Sequence, residues 1–299
     1  MNILPAQKGF LGLSGENAEA ATEEKPGVTV IPFGLEASTS YGGGTAHGAQ
    51  AIIDASHQVE LFDEDLWREP YREFRLSTLA PFAIDGGSAG VKAALAQLEG
   101  IVEDVLDQGR FPFVLGGEHS LTAGAIRPLA RRHDGLVILQ FDAHADLRDG
   151  YEGEHYSHAA AMRRCLDIAG VSLVSVGIRN ISAEEIPFLE ENRHRINIYW
   201  AKDRRNWDVG EIISHLSGRP VYLSVDVDGF DSSLMPATGT PEPGGLFWDD
   251  VMPIIKGACE AADIVGADIC ELAPIPGWHA CDFLAAKLAY KILGYRFAG

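Results

Sequence analysis

Asp142, His144 and Asp146 alternate in the stretch FDAHAD, which follows the largely apolar run LVILQ. Each is costly to bury without a partner. On a period-2 element three alternate residues project to one side, so the spacing predicts three ligand-type groups converging on something positive. A second spaced pair, Asp226 and Asp228, follows PVYLSV. His119 follows PFVLGG and Glu118, and Glu271 follows IVGADIC. Taken singly, each is an ordinary strand end emerging into water. Four apolar runs ending this way predict a shared site. His119, Asp142, His144, Asp146, Asp226 and Asp228 together offer four carboxylates and two imidazoles. Four carboxylates repel one another at low dielectric, and two divalent ions would cancel their formal charge. That donor set favours Mn²⁺ or Mg²⁺ over thiolate-bound zinc. Two such ions, roughly 3.5–4 Å apart, can share a bridging water and ionise it near neutral pH.

These groups need elements to hold them. Apolar, β-branched runs recur at 28–33, 112–117, 136–144, 171–179, 196–200, 220–228 and 262–272. They are continuous rather than alternating, which predicts parallel strands buried on both faces. Helical spacing separates them, over 89–109, 119–133, 183–193, 208–217, 249–262 and 279–295. Strand alternating with helix predicts a doubly wound α/β fold. In such sheets ligands bind beyond the carboxyl ends of the strands, where the six candidate ligands fall. No linker divides the chain. Residues 1–27 read as an N-terminal arm and polar loop, and 28–299 as one catalytic domain.

Composition narrows the partners. The chain has 24 Lys and Arg against 43 Asp and Glu, a formal charge of −19. That balance argues against nucleic acid, which is bound through cationic side chains, and against an anionic membrane surface. It suits metal ions and cationic substrates. Cys165, Cys259, Cys270 and Cys281 form no CxxC pair, and a chain of this length needs no disulfide framework. They are expected reduced, in a cytoplasmic protein. No apolar stretch reaches membrane-span length, and the N-terminus lacks the pattern of a signal peptide.

Six segments carry a resemblance. GGEHS (116–120), DAHAD (142–146) and SVDVDGFD (224–231) resemble the three signatures of the ureohydrolases, the arginase and agmatinase family. PATGTPEPGG (236–245), VGADICELAP (265–274) and SYGGGTAHGAQAIIDAS (40–56) resemble further segments of its bacterial agmatinase-type members. The resemblance implies a three-layer α/β/α domain around a parallel, roughly eight-stranded sheet. It implies two Mn²⁺ per chain, hydrolysis of a guanidino group to urea, and a homo-oligomer, trimer or hexamer. Carried over, His119, Asp142, Asp146 and Asp226 would hold one ion. His144, Asp142, Asp226 and Asp228 would hold the other. Asp146 would also aim the attacking hydroxide, Glu271 would bind the guanidinium, and Thr240 would lie near the guanidino end. His158 matches the histidine that carries protons, with His155 a rival three residues away. Ala159 stands where many members have Gly, and His47 and Ala49 where many have Arg and Pro.

The substrate is expected from the loop LRDGYEGEHYS (147–157), which lacks the arginase-like S-G-N-x-H-G run. Its acids, Asp149 among them, suit the ammonium of agmatine, giving putrescine and urea. Arg148 is the counter-sign, since it could grip the carboxylate of guanidinobutyrate. Arginine is a further alternative. A mononuclear zinc deacetylase on this kind of fold would lack His119 or one of the tandem aspartates. A non-catalytic relative would have lost ligands or Glu271.

Overall fold

Seven of the apolar runs become strands. In chain order the strands are β1 (Gly27–Phe33), β2 (Arg75–Thr78), β3 (Arg110–Gly116), β4 (Val137–Phe141), β5 (Ser172–Ile178), β6 (Ile196–Trp200), β7 (Pro220–Asp226) and β8 (Asp263–Cys270). The computed structural model describes residues 1–84 and 90–299. Every strand pairs in parallel, in the order β2-β1-β3-β8-β7-β4-β5-β6. β2, Arg-Leu-Ser-Thr, is the strand that periodicity did not show. It lies at the sheet edge and is half-exposed over most of its length, so it carries no apolar run.

The helices are α1 (Gly48–Ser56), α2 (Gly90–Asp107), α3 (Thr122–Arg132), α4 (Ala161–Leu166), α5 (Ile186–Glu191), α6 (Val209–Ser214), α7 (Trp248–Ala261) and α8 (His279–Ala298). Of the expected 89–109 helix, residue 89 lies outside the described residues. α2 buries Val91, Ala94, Leu95, Leu98, Val102 and Val105, a stripe at three- and four-residue steps. The chain leaves it through Gly109, whose φ of +66° is the left-handed conformation glycine adopts without cost. α8 is buried on nearly every side. Helices α1, α6, α7 and α8 pack on one face of the sheet and α2, α3, α4 and α5 on the other. Strand side chains alternate between the two cores: Val137 and Leu139 go one way, Leu136 and Ile138 the other. The result is a three-layer α/β/α domain.

The N-terminal arm is not loose. Phe10 and Leu11 are buried in the α1–α8 core. Their amides donate to Thr78 Oγ1 at 2.9 Å and Ser56 Oγ at 2.7 Å. All four cysteines are free. Among the described residues no helix is long and apolar enough to cross a membrane.

Candidate active site

Each D-x-H or D-x-D pair is built by its own first aspartate. Asp142 Oδ1 accepts the His144 amide at 2.6 Å, and Asp226 Oδ1 accepts the Asp228 amide at 2.9 Å. This is the Asx-turn, in which a short carboxylate bonds the backbone two residues on. It corrects the expectation of an extended strand through 144. β4 ends at Phe141, and Asp142, His144 and Asp146 converge through a turn rather than through the pleat. Asp146 stands at φ +52° and Glu271 at φ +65°. Non-glycine residues hold that conformation at a cost of about 1–2 kcal/mol, and such strain concentrates at functional sites.

The two turns lie against each other. Asp228 Oδ1 accepts the Ala143 amide at 3.1 Å. A Cβ on Gly229 would meet the Asp142 amide nitrogen at 2.8 Å, so only glycine allows this approach. Gly229→Ala should therefore spread the two pairs apart and lower metal content, measured by elemental analysis of the purified protein. Full metal occupancy in that variant would show that the contact is slack. Behind the turn, the Arg179 guanidinium donates to the carbonyls of Asp228, Gly229 and Phe230, and to those of Gly177 and Glu242.

The ligand-type atoms meet at short range. His119 Nδ1 lies 3.1 Å from Asp142 Oδ2, 3.0 Å from Asp146 Oδ2 and 3.4 Å from Asp226 Oδ2. His144 Nδ1 lies 3.0 Å from Asp228 Oδ2 and 3.7 Å from Asp142 Oδ1. Among the described residues three groups have the spacing of a metal site: His119–Asp142–Asp146 and Asp142–His144–Asp228, with Asp142 in common, and His119–Asp268–Cys270. Asp226 adjoins the first group through His119.

These residues fit a cation by their hydrogen bonding. His119 Nδ1 is buried and makes no hydrogen bond, despite the oxygens around it. Its Nε2 sits 2.9 Å from Ser224 Oγ, which donates to Asp268 Oδ1 at 2.8 Å. The serine proton is thus committed to Asp268, so His119 Nε2 is the donor, and Nδ1, turned to the carboxylate oxygens, is the nitrogen left for a cation. An imidazole whose second nitrogen is held by a hydroxyl–carboxylate pair is a typical oriented metal ligand.

The support beneath is a row across the sheet. Asp268, Ser224, Gln140 and Ser175 are register partners on β8, β7, β4 and β5. All four are buried. Gln140 Nε2 donates to Asp142 Oδ2 at 2.7 Å, and Ser175 Oγ donates to Gln140 Oε1 at 2.6 Å. Thr122 Oγ1 donates to the other oxygen of Asp268 at 2.8 Å. Sequence reasoning passed over this row. The signal available was a polar residue inside each of four otherwise apolar runs.

The protons of the site follow from this crowding. Burial pulls the His144 pKa down, but the Asp228 and Asp142 charges outweigh it and push it up to about 12. Burial, then the Asp142 charge, raises Asp146 to about 7. Burial, then Asp228 and Asp142, raises Asp226. A divalent ion must displace these protons. Metal binding should therefore release protons, and affinity should rise with pH through and above pH 7. Calorimetric titrations in buffers of different ionisation enthalpy measure that release. A buffer-independent heat would contradict the assignment.

The cavity over this cluster, about 200 Å³, is lined by His119, His144, Asp146, His158, Asp226, Asp228, Thr240 and Glu271, with Tyr41, Arg148, Tyr151 and Glu185 also in its wall. Glu271 is buried and accepts the His119 amide at 2.7 Å through Oε1. Burial raises its pKa well above the usual carboxylate range. Thr240 Oγ1 donates to Asp228 Oδ2 at 3.3 Å. His158 lines the cavity, whereas His155 does not and lies against the Arg164 guanidinium. Asp149 is a correction. It does not line the cavity, and its carboxylate accepts from Arg164 Nη2 at 2.7 Å. Arg148, the possible carboxylate grip, is ion-paired with Glu184 and lies over the Tyr151 ring at 5.1 Å. Glu118, given no role from sequence, is fully buried and accepts four hydrogen bonds.

A carboxylate–imidazole cluster at the carboxyl edge of a parallel sheet, with a buried glutamate beside it in the same cavity wall, is an arrangement suited to metal-dependent hydrolysis. The family model of the arginase family matches residues 26–294. The chain is 37% identical over 275 residues to the N(1)-aminopropylagmatine ureohydrolase of Synechocystis sp., covering 90% of this chain and 88% of that one. It is 33% identical to the agmatinase of Bacillus anthracis, over 84% of this chain and 85% of that one. The structure of agmatine ureohydrolase from Thermoplasma volcanium aligns with a TM-score of 0.79 at 31% identity, covering 99% of this chain and 96% of that one. The chain belongs to the arginase family, the ureohydrolases, which hydrolyse guanidino C–N bonds.

Proposed function

We propose that the protein hydrolyses agmatine to putrescine and urea with two Mn²⁺ ions. His119, Asp142, Asp146 and Asp226 would hold one ion, and His144, Asp142, Asp226 and Asp228 the other. Such a pair supplies, when bound, a water ionised near neutral pH as the nucleophile. Glu271 holds the guanidinium with its carbon toward the cluster, a positioning effect. Asp146 accepts a hydrogen bond from the attacking water and aims it. His158 delivers a proton to the amine as the C–N bond breaks, and Thr240 keeps Asp228 in place.

The observation that carries the substrate assignment is the cavity wall. Beyond the ligand cluster the acids of the wall are Glu271, which is given to the guanidinium, and Glu185, whose oxygens accept the Leu147 and Ser182 amides and the Ser182 hydroxyl. Arg148, the one arginine in the wall among the described residues, is already engaged by Glu184 and Tyr151. That wall favours an amine tail over a carboxylate tail. A second reading rests on the Synechocystis relative, named for N(1)-aminopropylagmatine. That compound adds another amine to the same tail and would give a triamine.

Urea release from Mn²⁺-loaded protein across four compounds tests this. Agmatine should exceed guanidinobutyrate and arginine in kcat/KM by at least about tenfold, about 1.4 kcal/mol. A faster rate with either carboxylate compound would overturn the proposal. A clear preference for N(1)-aminopropylagmatine would establish the second reading.

A further inference from the structure

His158 is held by residues far from it in sequence. Its amide donates to Ser38 Oγ at 2.9 Å, and its ring Nδ1 lies 3.2 Å from the same oxygen. Ser38 Oγ in turn lies 2.8 Å from Glu118 Oε1. Glu118 also accepts the Ala37 and Ser38 amides, each at 2.6 Å, and the Ser120 hydroxyl at 2.6 Å. The Tyr151 ring packs edge-on to the imidazole, with centroids 5.9 Å apart.

The direction of every bond in this chain can be deduced. A serine hydroxyl has one proton and two acceptor lone pairs, and a carboxylate only accepts. The Ser38 proton therefore goes to Glu118. Both lone pairs of Ser38 Oγ are then available, one for the His158 amide and one for the ring. The contact to the ring must have Nδ1–H as donor. That leaves the lone pair on Nε2, which has no hydrogen-bond partner among the described residues and is not among the buried unpaired atoms. The ring lines the cavity, so Nε2 is the nitrogen available to substrate. Burial lowers the pKa of His158, with the Glu118 charge opposing, which keeps the ring neutral when it is not carrying a proton.

We infer that Ser38, backed by Glu118, is a positioning residue that fixes His158 in the Nδ1-protonated tautomer with Nε2 toward the cavity. The inference rests on the role of His158 given above. During turnover, once the ionised water has added to the guanidino carbon, Nε2 accepts the proton that remains on the added oxygen. It gives that proton to the departing amine nitrogen as the C–N bond breaks. Nδ1 keeps its proton throughout because it donates a hydrogen bond to Ser38 Oγ. Without Ser38 the ring samples both tautomers and rotates, and only a fraction of the enzyme has an acceptor at the right place.

The test is a double-mutant cycle on the Mn²⁺-loaded enzyme with agmatine, with metal content measured for every variant. Ser38→Ala should lower kcat by about tenfold to a hundredfold, leave KM within about twofold, raise the solvent deuterium isotope effect on kcat, and retain both ions. Ser38→Thr, which keeps the hydroxyl, should recover most of kcat. Ser38→Ala placed on His158→Asn should cost nothing more, since two residues acting as one unit are not additive. An unchanged kcat in Ser38→Ala, with His158→Asn impaired, overturns the inference alone. So does a further loss in the double variant. A wild-type kcat in His158→Asn overturns the role of His158 itself, a separate failure.

Discussion

Asp226→Asn should abolish most urea release, by about a thousandfold or more, while making the metal-free protein more stable. The loss follows from the several kcal/mol that metal ions contribute to the transition state. The gain follows from the same carboxylate. Burial, then the Asp228 and Asp142 charges, holds its folded pKa above the unfolded value. A carboxyl group raised in this way favours folding at low pH and opposes it once pH rises past the unfolded pKa. At neutral pH the neutral amide removes that opposition. It can still accept the Asp228 amide through its carbonyl oxygen, so the turn survives. Thermal unfolding of chelator-treated protein at pH 7 should show a higher Tm for the variant, and elemental analysis should show fewer than two ions per chain after reloading. A lower Tm would mean that Asp226 is held by attractions absent from this account.

Glu271→Gln should lower kcat/KM by about a hundredfold to a thousandfold with both ions retained. Hydrogen bonds to a charged partner contribute about 1.5–3 kcal/mol each, and a guanidinium can offer a carboxylate two in parallel. The amide oxygen can still accept the His119 amide, so the cluster beside it keeps its shape. What is lost is the charge that meets the cation. Steady-state kinetics with metal analysis separates this outcome from a structural one. A kcat/KM within about threefold of wild type would remove Glu271 from the reaction.

The strands were legible because burial on both faces leaves uninterrupted apolar runs, and β6 falls on the same residues as its run. β2 was not, because an edge strand needs no such run. The metal cluster was legible because its ligand types stand at strand ends with two-residue spacing, although the spacing reflects Asx-turns rather than a pleat. The row under it left only single polar letters in apolar words. Ser38 and Glu118 are 80 positions apart, and no local pattern announces such a bond. Asp149 misled for a related reason. A loop has no period, so its sequence does not say which way a side chain turns, and this one turns to Arg164.

The position of β8 has a consequence for how the molecule comes into being. It is the last strand in the chain, yet it lies in the middle of the sheet, paired with β3 on one side and β7 on the other. On a ribosome the chain can build β2-β1-β3 and β7-β4-β5-β6 as separate half-sheets, with no strand to join them. His119 belongs to the first half, and the aspartates and His144 to the second. Parallel pairing between distant segments is slow and leaves unpaired edges exposed while it waits. Insertion of β8 closes the gap, brings His119 to its carboxylates and carries Glu271 into place on the strand's own end. Assembly of the reaction centre is thereby tied to one event, the insertion of β8, and a chain interrupted before Asp263 would hold two half-sheets with exposed edges and no Glu271.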